Sequence, residues 1–335
     1  MTTAPQRLLI TGATGKQGGA LIASLLRQPP RTPTQIVALT RDPASSSAKR
    51  LLASATSVAP STLSLTLLQG DLDDSTKIFT SAASQFNNPH PFHGVFSVQV
   101  PLNPTREEAQ GKALIDAAAR FGVRHFVYTS ADRGGQQRSD ADPSPVRHFA
   151  SKFRIEEHLK RVATAEASGM AWTIIRPVAF MENLSDDFLG RAFVAMWRLN
   201  GLDDRPLQLV SASDVGVAAA DALRSPQKWA GRSVSLAGEE ISPAQADEVF
   251  RRLVGKPLPS TYAFVGRGLR WGLREQLGDM FDWFRDVGFG ADVQGCRREW
   301  PKMMGWEMWL REKSAWKGRV EARERENGAE ARDGA

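Results

Sequence analysis

A single cysteine, Cys296, stands among 335 residues, which excludes an intramolecular disulfide framework and a cysteine-rich zinc module together. One isolated thiol reads as a small buried side chain rather than a nucleophile, and no metal site is expected. Long apolar runs are also missing. None approaches the roughly 18 residues a membrane span needs, and the opening MTTAPQRLLITG lacks the longer apolar stretch of a secretory signal. No membrane partner is expected, and a cytoplasmic protein is the default. Charge of one sign does not cluster either. The net charge is +6, yet the densest charged stretch, Arg311 to Asp333, mixes signs and reads as a solvated C-terminal helix fraying into a tail over 321–335. Arg267, Arg270 and Arg274 recur at helical spacing without any recognition motif, so no nucleic-acid partner is expected.

What is present is an ordinary globular balance, 41% hydrophobic and 24% charged. At about 150 residues per domain the length suggests two domains, or one large fold with an appendage. The run Arg7 to Thr11 is a short apolar strand that ends in Gly12-Ala13-Thr14-Gly15-Lys16-Gln17-Gly18-Gly19, and the helical pattern Ala20, Leu21, Ile22, Leu25, Leu26 follows. In a strand, glycine turn, helix unit of spacing GxxGxxG each glycine has a task. One permits the tight turn, one admits a pyrophosphate without a Cβ in the way, and one lets helix pack closely on strand. The phosphates then face a helix N-terminus, where unpaired N–H groups and the helix dipole favour negative charge.

The next strand, Gln35 to Leu39, ends in Thr40-Arg41-Asp42-Pro43. A carboxylate at this tip would hold the ribose 2′-hydroxyl of NAD, whereas an arginine accommodates the 2′-phosphate of NADP. Asp42 followed by proline is explained as the cap of the helix carrying Ala48, Leu51 and Leu52, which frees Arg41 for the phosphate and favours NADP. After a third strand, Leu63 to Leu68, Asp71 is placed to accept from the adenine amino group with Leu72 against the ring, while Asp73 or Asp74 caps the helix of Ile78 and Phe79. A fourth strand, Gly94 to Val100, should end beside the nicotinamide half. Strand and helix go on alternating: a helix from about Thr105 to Phe121, a strand Arg124 to Thr129, a helix from about His148 and a strand Trp172 to Arg176. The fold class is α/β, a Rossmann-type doubly wound parallel sheet.

In order along the chain, TGATGKQGG, LTRDP, QGDLDD, GVFSVQ, VYTSADRGG, HFASKFRIEEHL and RPVAFMENL resemble the NmrA-like group of atypical short-chain dehydrogenase/reductase proteins. The likeness spans residues 7 to about 184 and continues more weakly to about 310. It implies an NADP(H) site built from Gly12, Ala13, Thr14, Gly15, Lys16 and Gln17 with Gly18 closing the turn, from Arg41, Asp71, Leu72 and Gln99, from Lys152, and from Phe180, Met181, Glu182 and Asn183. One departure is Ala109, where redox-sensing members of the group carry a lysine that contacts the cofactor.

Conventional short-chain dehydrogenases use Tyr-x-x-x-Lys, because residues four apart share a helix face and the lysine lowers the tyrosine pKa. Here Lys152 is present and the tyrosine position holds His148. Three readings stand open: His148 replaces the tyrosine as acid, Lys152 acts only as a cofactor clamp, or His148 packs at its helix start. Tyr128 and Ser130, at the end of the fifth strand, lie where proton donors would be useful; for Tyr128 a side chain pointing into a buried sheet is an equal reading.

Beyond Asn183 the rhythm loosens and six of nine tryptophans lie beyond residue 260, which suits a compact helical core or a cover over a flat ligand. Met280, Phe281 and Phe284 recur at helical spacing. Leu207 to Val210, Asp214 to Leu223 and Ser233 to Leu236 read as strand, helix and strand returning to the Rossmann sheet. The expected organisation is therefore a Rossmann domain of 1–183 plus 205–237 and a smaller, discontinuous α/β C-terminal lid domain of 184–204 plus 238–320. Two functions are compatible with this: an NADPH-dependent reductase of a small carbonyl, quinone or activated alkene or imine, and a non-catalytic NADP(H) sensor acting on a protein partner. The sensor would permit nuclear shuttling. The oligomeric state is not written in the sequence.

Overall fold

The computed structural model describes residues 5–56, 62–100, 103–165, 168–199, 206–261 and 278–333. Seven strands form one sheet in the order β3-β2-β1-β4-β5-β6-β9. They are β1 Gln6–Ile10, β2 Thr34–Thr40, β3 Leu63–Gln69, β4 Gly94–Ser97, β5 His125–Thr129, β6 Ala171–Pro177 and, at the edge beside β6, β9 Arg232–Leu236. The ladders from β3 through β6 are parallel. Strands β4 and β5 are buried at every residue, as strands covered on both faces must be.

Between the strands run α1 Lys16–Arg27, α2 Ser46–Thr56, α3 Ser75–Gln85, α4 Pro104–Arg120, α5 Gln136–Ala141, α6 Arg147–Thr164, α7 Phe188–Leu199 and α8 Ala212–Arg224. Glycines allow two close helix pairs. A Cβ on Gly216 of α8 would lie 2.6 Å from the Leu21 nitrogen of α1, and one on Gly111 of α4 would lie 2.7 Å from Ile155 Cδ1 of α6. Leu9, Val37, Phe79, Val95, Phe126, Ile155 and Ile174 join in one buried cluster, each contributing on the order of 2 kcal/mol by leaving water.

The chain divides into two units. The first is Met1–Ala131, Asp142–Arg176 and Ala212–Val234; the second is Asp132–Ala141, Pro177–Ser211 and Ser235–Ala335. The second contains β7 Ala179–Phe180, β8 Leu207–Val210 and β10 Glu239–Ile241, which form their own sheet in the order β10-β8-β7. Its helices include α10 Pro243–Val254, α11 Asp279–Asp286, α12 Val293–Glu299, α13 Trp306–Glu312 and α14 Lys317–Asp333, while the short α9 Pro226–Trp229 belongs to the first unit. Trp283, Trp300, Trp306, Trp309 and Trp316 are all buried, as are Phe281 and Phe284. Trp306 stacks on Trp309, and Phe281 meets Phe193 edge-on. Trp271 and the basic series Arg267, Arg270 and Arg274 lie outside the described residues. Among the described residues no helix is long and apolar enough to cross a membrane.

Four expectations change. Leu207–Val210 does not return to the Rossmann sheet, since it pairs with β7 and β10 in the second unit. Residues 132–141 and 177–183 also leave the first unit, the former because the buried Asp132 carboxylate accepts from the amides of Gly134, Gly135 and Gly290 and from the Ser235 hydroxyl. The segment read as a disordered tail from 321 continues a helix to Asp333, docked through Trp316 against Phe250 and through Arg319 Nε to the Val254 carbonyl. Strand β4 stops at Ser97 instead of Val100, because the Val98 amide turns away to donate to Thr11 Oγ1 at 2.8 Å.

Candidate cofactor site

The glycine turn is held by the strands on either side of it. Thr11 donates its amide to Phe96 O and its hydroxyl to Val98 O, which ties the exit of β1 to the end of β4. Gly12 then takes φ +57, left-handed backbone that glycine enters without strain. A Cβ on Gly12 would lie 2.6 Å from Val98 Cγ1, and one on Gly18 would lie 2.6 Å from the Gly12 carbonyl carbon. Positions 12 and 18 therefore have no room for a side chain. Gly15 is the N-cap of α1, no side chain caps it, and the first turn has no acidic residue. That leaves backbone N–H groups at the helix start for an anion. Thr129, at the end of β5, donates to Gln17 Oε1 at 2.8 Å and fixes that side chain. Ala13 is buried, whereas Thr14, Gly15 and Lys16 are exposed.

At the tip of β2 the structure separates the two competing charges. Helix α2 begins at Ser46, and Ser45 Oγ accepts from the Ala48 amide, so Asp42 is not the cap expected for it. Its carboxylate instead accepts from the Ala44 amide at 2.8 Å, a side-chain turn that the following proline helps to set. Asp42 is engaged all the same, by a different bond. Arg41 is exposed and its guanidinium has no hydrogen-bond partner among the described residues.

After β3, Asp71 Oδ1 accepts from the Asp73 amide, Asp74 caps α3 through the Lys77 amide, and Leu72 packs half-buried against the core. Asp73 is bound by Arg106 and Gln110, and the Arg106 guanidinium holds its carboxyl below the usual carboxylate range. Beyond β4, Gln99 is buried and donates from Nε2 to Ser97 Oγ, while its Oε1 is buried with no partner among the described residues. A buried amide oxygen left without a donor is costly unless a ligand or water supplies one.

The surroundings of Lys152 were not legible as such. Its Nζ donates to Glu107 Oε1 at 2.7 Å, and Ser151 Oγ donates to Glu107 Oε2 at 2.8 Å. The Glu107 side chain is fully buried and that of Lys152 is 11% exposed. Sequence reasoning missed Glu107, yet a signal existed. It continues the buried stripe of α4 formed by Gly111, Leu114, Ile115 and Ala118, and a carboxylate on such a stripe requires a partner.

The candidate proton donors fare differently. Tyr128 is 0% exposed within the core cluster, so its ring points into the packed sheet. Ser130 is also buried and donates to Glu156, which pairs with the equally buried Arg176. His148 sits half-buried against Phe149, and burial, assisted by the Lys152 charge, pushes its pKa down to about 4 against the raising effect of Glu107. At neutral pH about one imidazole in a thousand would be protonated, too few for an efficient acid. Cys296 is buried, and burial pushes its thiol up, away from thiolate chemistry. Phe180, Met181, Glu182 and Asn183 lie in the second unit, where Glu182 Oε1 accepts from Ser211 Oγ and Trp309 Nε1.

A cradle that a Cβ would fill, an uncapped helix start, an exposed arginine at the β2 tip and an orphaned buried amide oxygen after β4 together fit a phosphate-rich dinucleotide. Known proteins agree with this architecture. An NmrA-type negative transcriptional regulator has a solved structure that matches with a TM-score of 0.67 at 20% identity, over 97% of this chain and 98% of that one. The NADPH-dependent quinone oxidoreductase of Escherichia coli, solved with NADPH, matches with a TM-score of 0.64 at 23% identity, over 90% of this chain and 97% of that one. An NmrA-like family domain-containing oxidoreductase of Penicillium ochrochloron, ptmS, is 28% identical over 322 residues, 88% of this chain and 86% of its own. The nitrogen metabolite repression protein nmr of Neurospora crassa is 32% identical over 161 residues, 45% of this chain, and the chain covers 32% of that protein's length. The NmrA-like family model matches residues 4–310, and the chain belongs to this family.

Proposed function

We propose that the protein is an NADPH-dependent oxidoreductase that reduces a small carbonyl, quinone or activated alkene or imine. The observation that carries the reading is the turn from Gly12 to Gly18, closed to a Cβ at Gly12 and Gly18 and opening on an uncapped α1, with Arg41 exposed nearby and Asp42 bonded through one carboxylate oxygen. Bound NADPH would supply the hydride. The protein's own part is to hold and orient. The N–H groups at the start of α1 receive the pyrophosphate, Arg41 receives the 2′-phosphate, and Lys152, fixed by Glu107, clamps the nicotinamide ribose. With His148 neutral, Tyr128 in the core and Ser130 bonded to Glu156, none of the three is a ready acid. An acceptor whose reduced form takes its proton from water, such as a quinone, suits this site best. The oxidoreductase relatives and the quinone reductase of the same fold support that direction.

The same lack of an acid favours a second reading, an NADP(H) sensor acting through a protein partner, and the repression protein among the relatives is consistent with it. Steady-state NADPH oxidation against a panel of quinones, aldehydes, ketones and enones separates the two. Turnover is expected with at least one quinone; tight NADPH binding without turnover on any acceptor would leave the sensor.

A further inference from the structure

Charged residues on the facing stripes of α4 and α6 form two layers. Outward, Glu108 is shared by Lys112 and Arg154, all at least partly exposed. Inward, Glu107 meets Lys152 and Ser151 with its carboxylate out of water. The outer layer is ordinary surface charge, worth little and screened by salt. The inner layer is not. A buried pair keeps its field in a low-dielectric surrounding, and each partner's charge is largely cancelled by the other. Both carboxylate oxygens of Glu107 are used, one by the ammonium and one by the Ser151 hydroxyl, so its position is fixed as well as its charge.

We propose that Glu107 is a positioning residue that neutralises Lys152 and thereby sets the relative affinity of the site for oxidised and reduced dinucleotide. The inference rests on the NADP(H) reading above, in which Lys152 holds the nicotinamide ribose. The oxidised nicotinamide ring carries a positive charge and the reduced ring none, so an uncompensated ammonium at the ribose would act against NADP⁺ and leave NADPH almost untouched. With Glu107 in place the pair presents no net charge, and both redox states are accepted. A helix-packing role alone would not distinguish the two states of the ring.

The test is calorimetric titration of the full chain with NADP⁺ and NADPH. Glu107→Gln keeps the shape and uncovers the charge, and it is expected to raise the ratio of the NADP⁺ to the NADPH dissociation constant on the order of tenfold, the scale of one unit charge in a partly desolvated site. The double variant Glu107→Gln, Lys152→Met removes both charges. It is expected to return the ratio to within about threefold of the wild type while weakening both ligands alike. A folded Glu107→Gln whose ratio stays within about twofold of the wild type overturns the proposal. Should that variant not fold, a ratio displaced beyond about threefold in the double variant overturns it instead. Failure of the wild-type chain to bind either dinucleotide is a different outcome, which removes the NADP(H) reading itself.

Discussion

Single side chains decide most of the candidate site, and the decision often turns on what a neighbour has already claimed. Arg41 and Asp42 are adjacent exposed charges at one strand end; the Ala44 amide takes one carboxylate oxygen of Asp42, whereas the Arg41 guanidinium has no partner among the described residues. Lys152 and His148 share a helix face, and the buried Glu107 that secures the first does little to offset the burial that keeps the second neutral. Gly18 is the least replaceable of these positions, since a methyl group there would lie 2.6 Å from backbone carbon and could be relieved only by moving the turn. Gly18→Ala is expected to cost about 2 kcal/mol or more in urea unfolding and to abolish measurable dinucleotide binding. Wild-type binding in a folded Gly18→Ala protein would show that the turn is not the phosphate cradle. The glycine spacing made this position readable from sequence. Glu107 was not readable in the same way, because TREEAQGK looks like a solvated helix start until its apolar stripe is counted through residue 118.

Elements were legible where local pattern and tertiary role coincide. Strands β1, β2, β3, β5 and β6 fall within one or two residues of the runs that predict them, because the inner parallel strands need apolar stretches and the partly buried edge strand β3 alternates. Leu207–Val210 is a similar short run, and it sits in the other sheet; three apolar residues around Gln208 specify burial but not a partner. The C-terminal helix is expected from the sequence, but its continuation past residue 320 is not, for the opposite reason. Ten of its seventeen residues are charged, and Trp316 and Val320 supply its buried anchor. One strand pair also carries a pH signature. His125 of β5 bonds through Nε2 to Thr173 Oγ1 of β6, whose hydroxyl donates to Trp229 O, so the ring donates from Nε2. Burial pushes its pKa down to about 4. The unfolded chain protonates first, so the stability of the neutral form is complete above about pH 6.5 and is lost as the pH falls toward 4. Urea midpoints should decline between pH 7.5 and 5 by the equivalent of about 2 kcal/mol from His125, with His148 adding in the same direction. A midpoint that stays flat over that range would mean that these imidazoles are not buried in neutral form.

On the scale of the molecule, the chain is an NmrA-like protein with a seven-stranded Rossmann-type sheet and a second unit carrying its own three-stranded sheet. That fold serves oxidoreductases and a transcriptional regulator alike, so the architecture cannot choose between catalysis and sensing. What both functions require is the same: a dinucleotide held at the glycine turn and selected by Arg41. Calorimetric titration with NADP⁺ and NAD⁺, on the wild type and on Arg41→Ala, tests that requirement most directly. NADP⁺ is expected to bind at least about tenfold more tightly than NAD⁺, the scale of a charge-assisted phosphate contact, and Arg41→Ala should remove most of that difference. Equal affinity for the two dinucleotides, or a preference that survives loss of Arg41, would contradict the account.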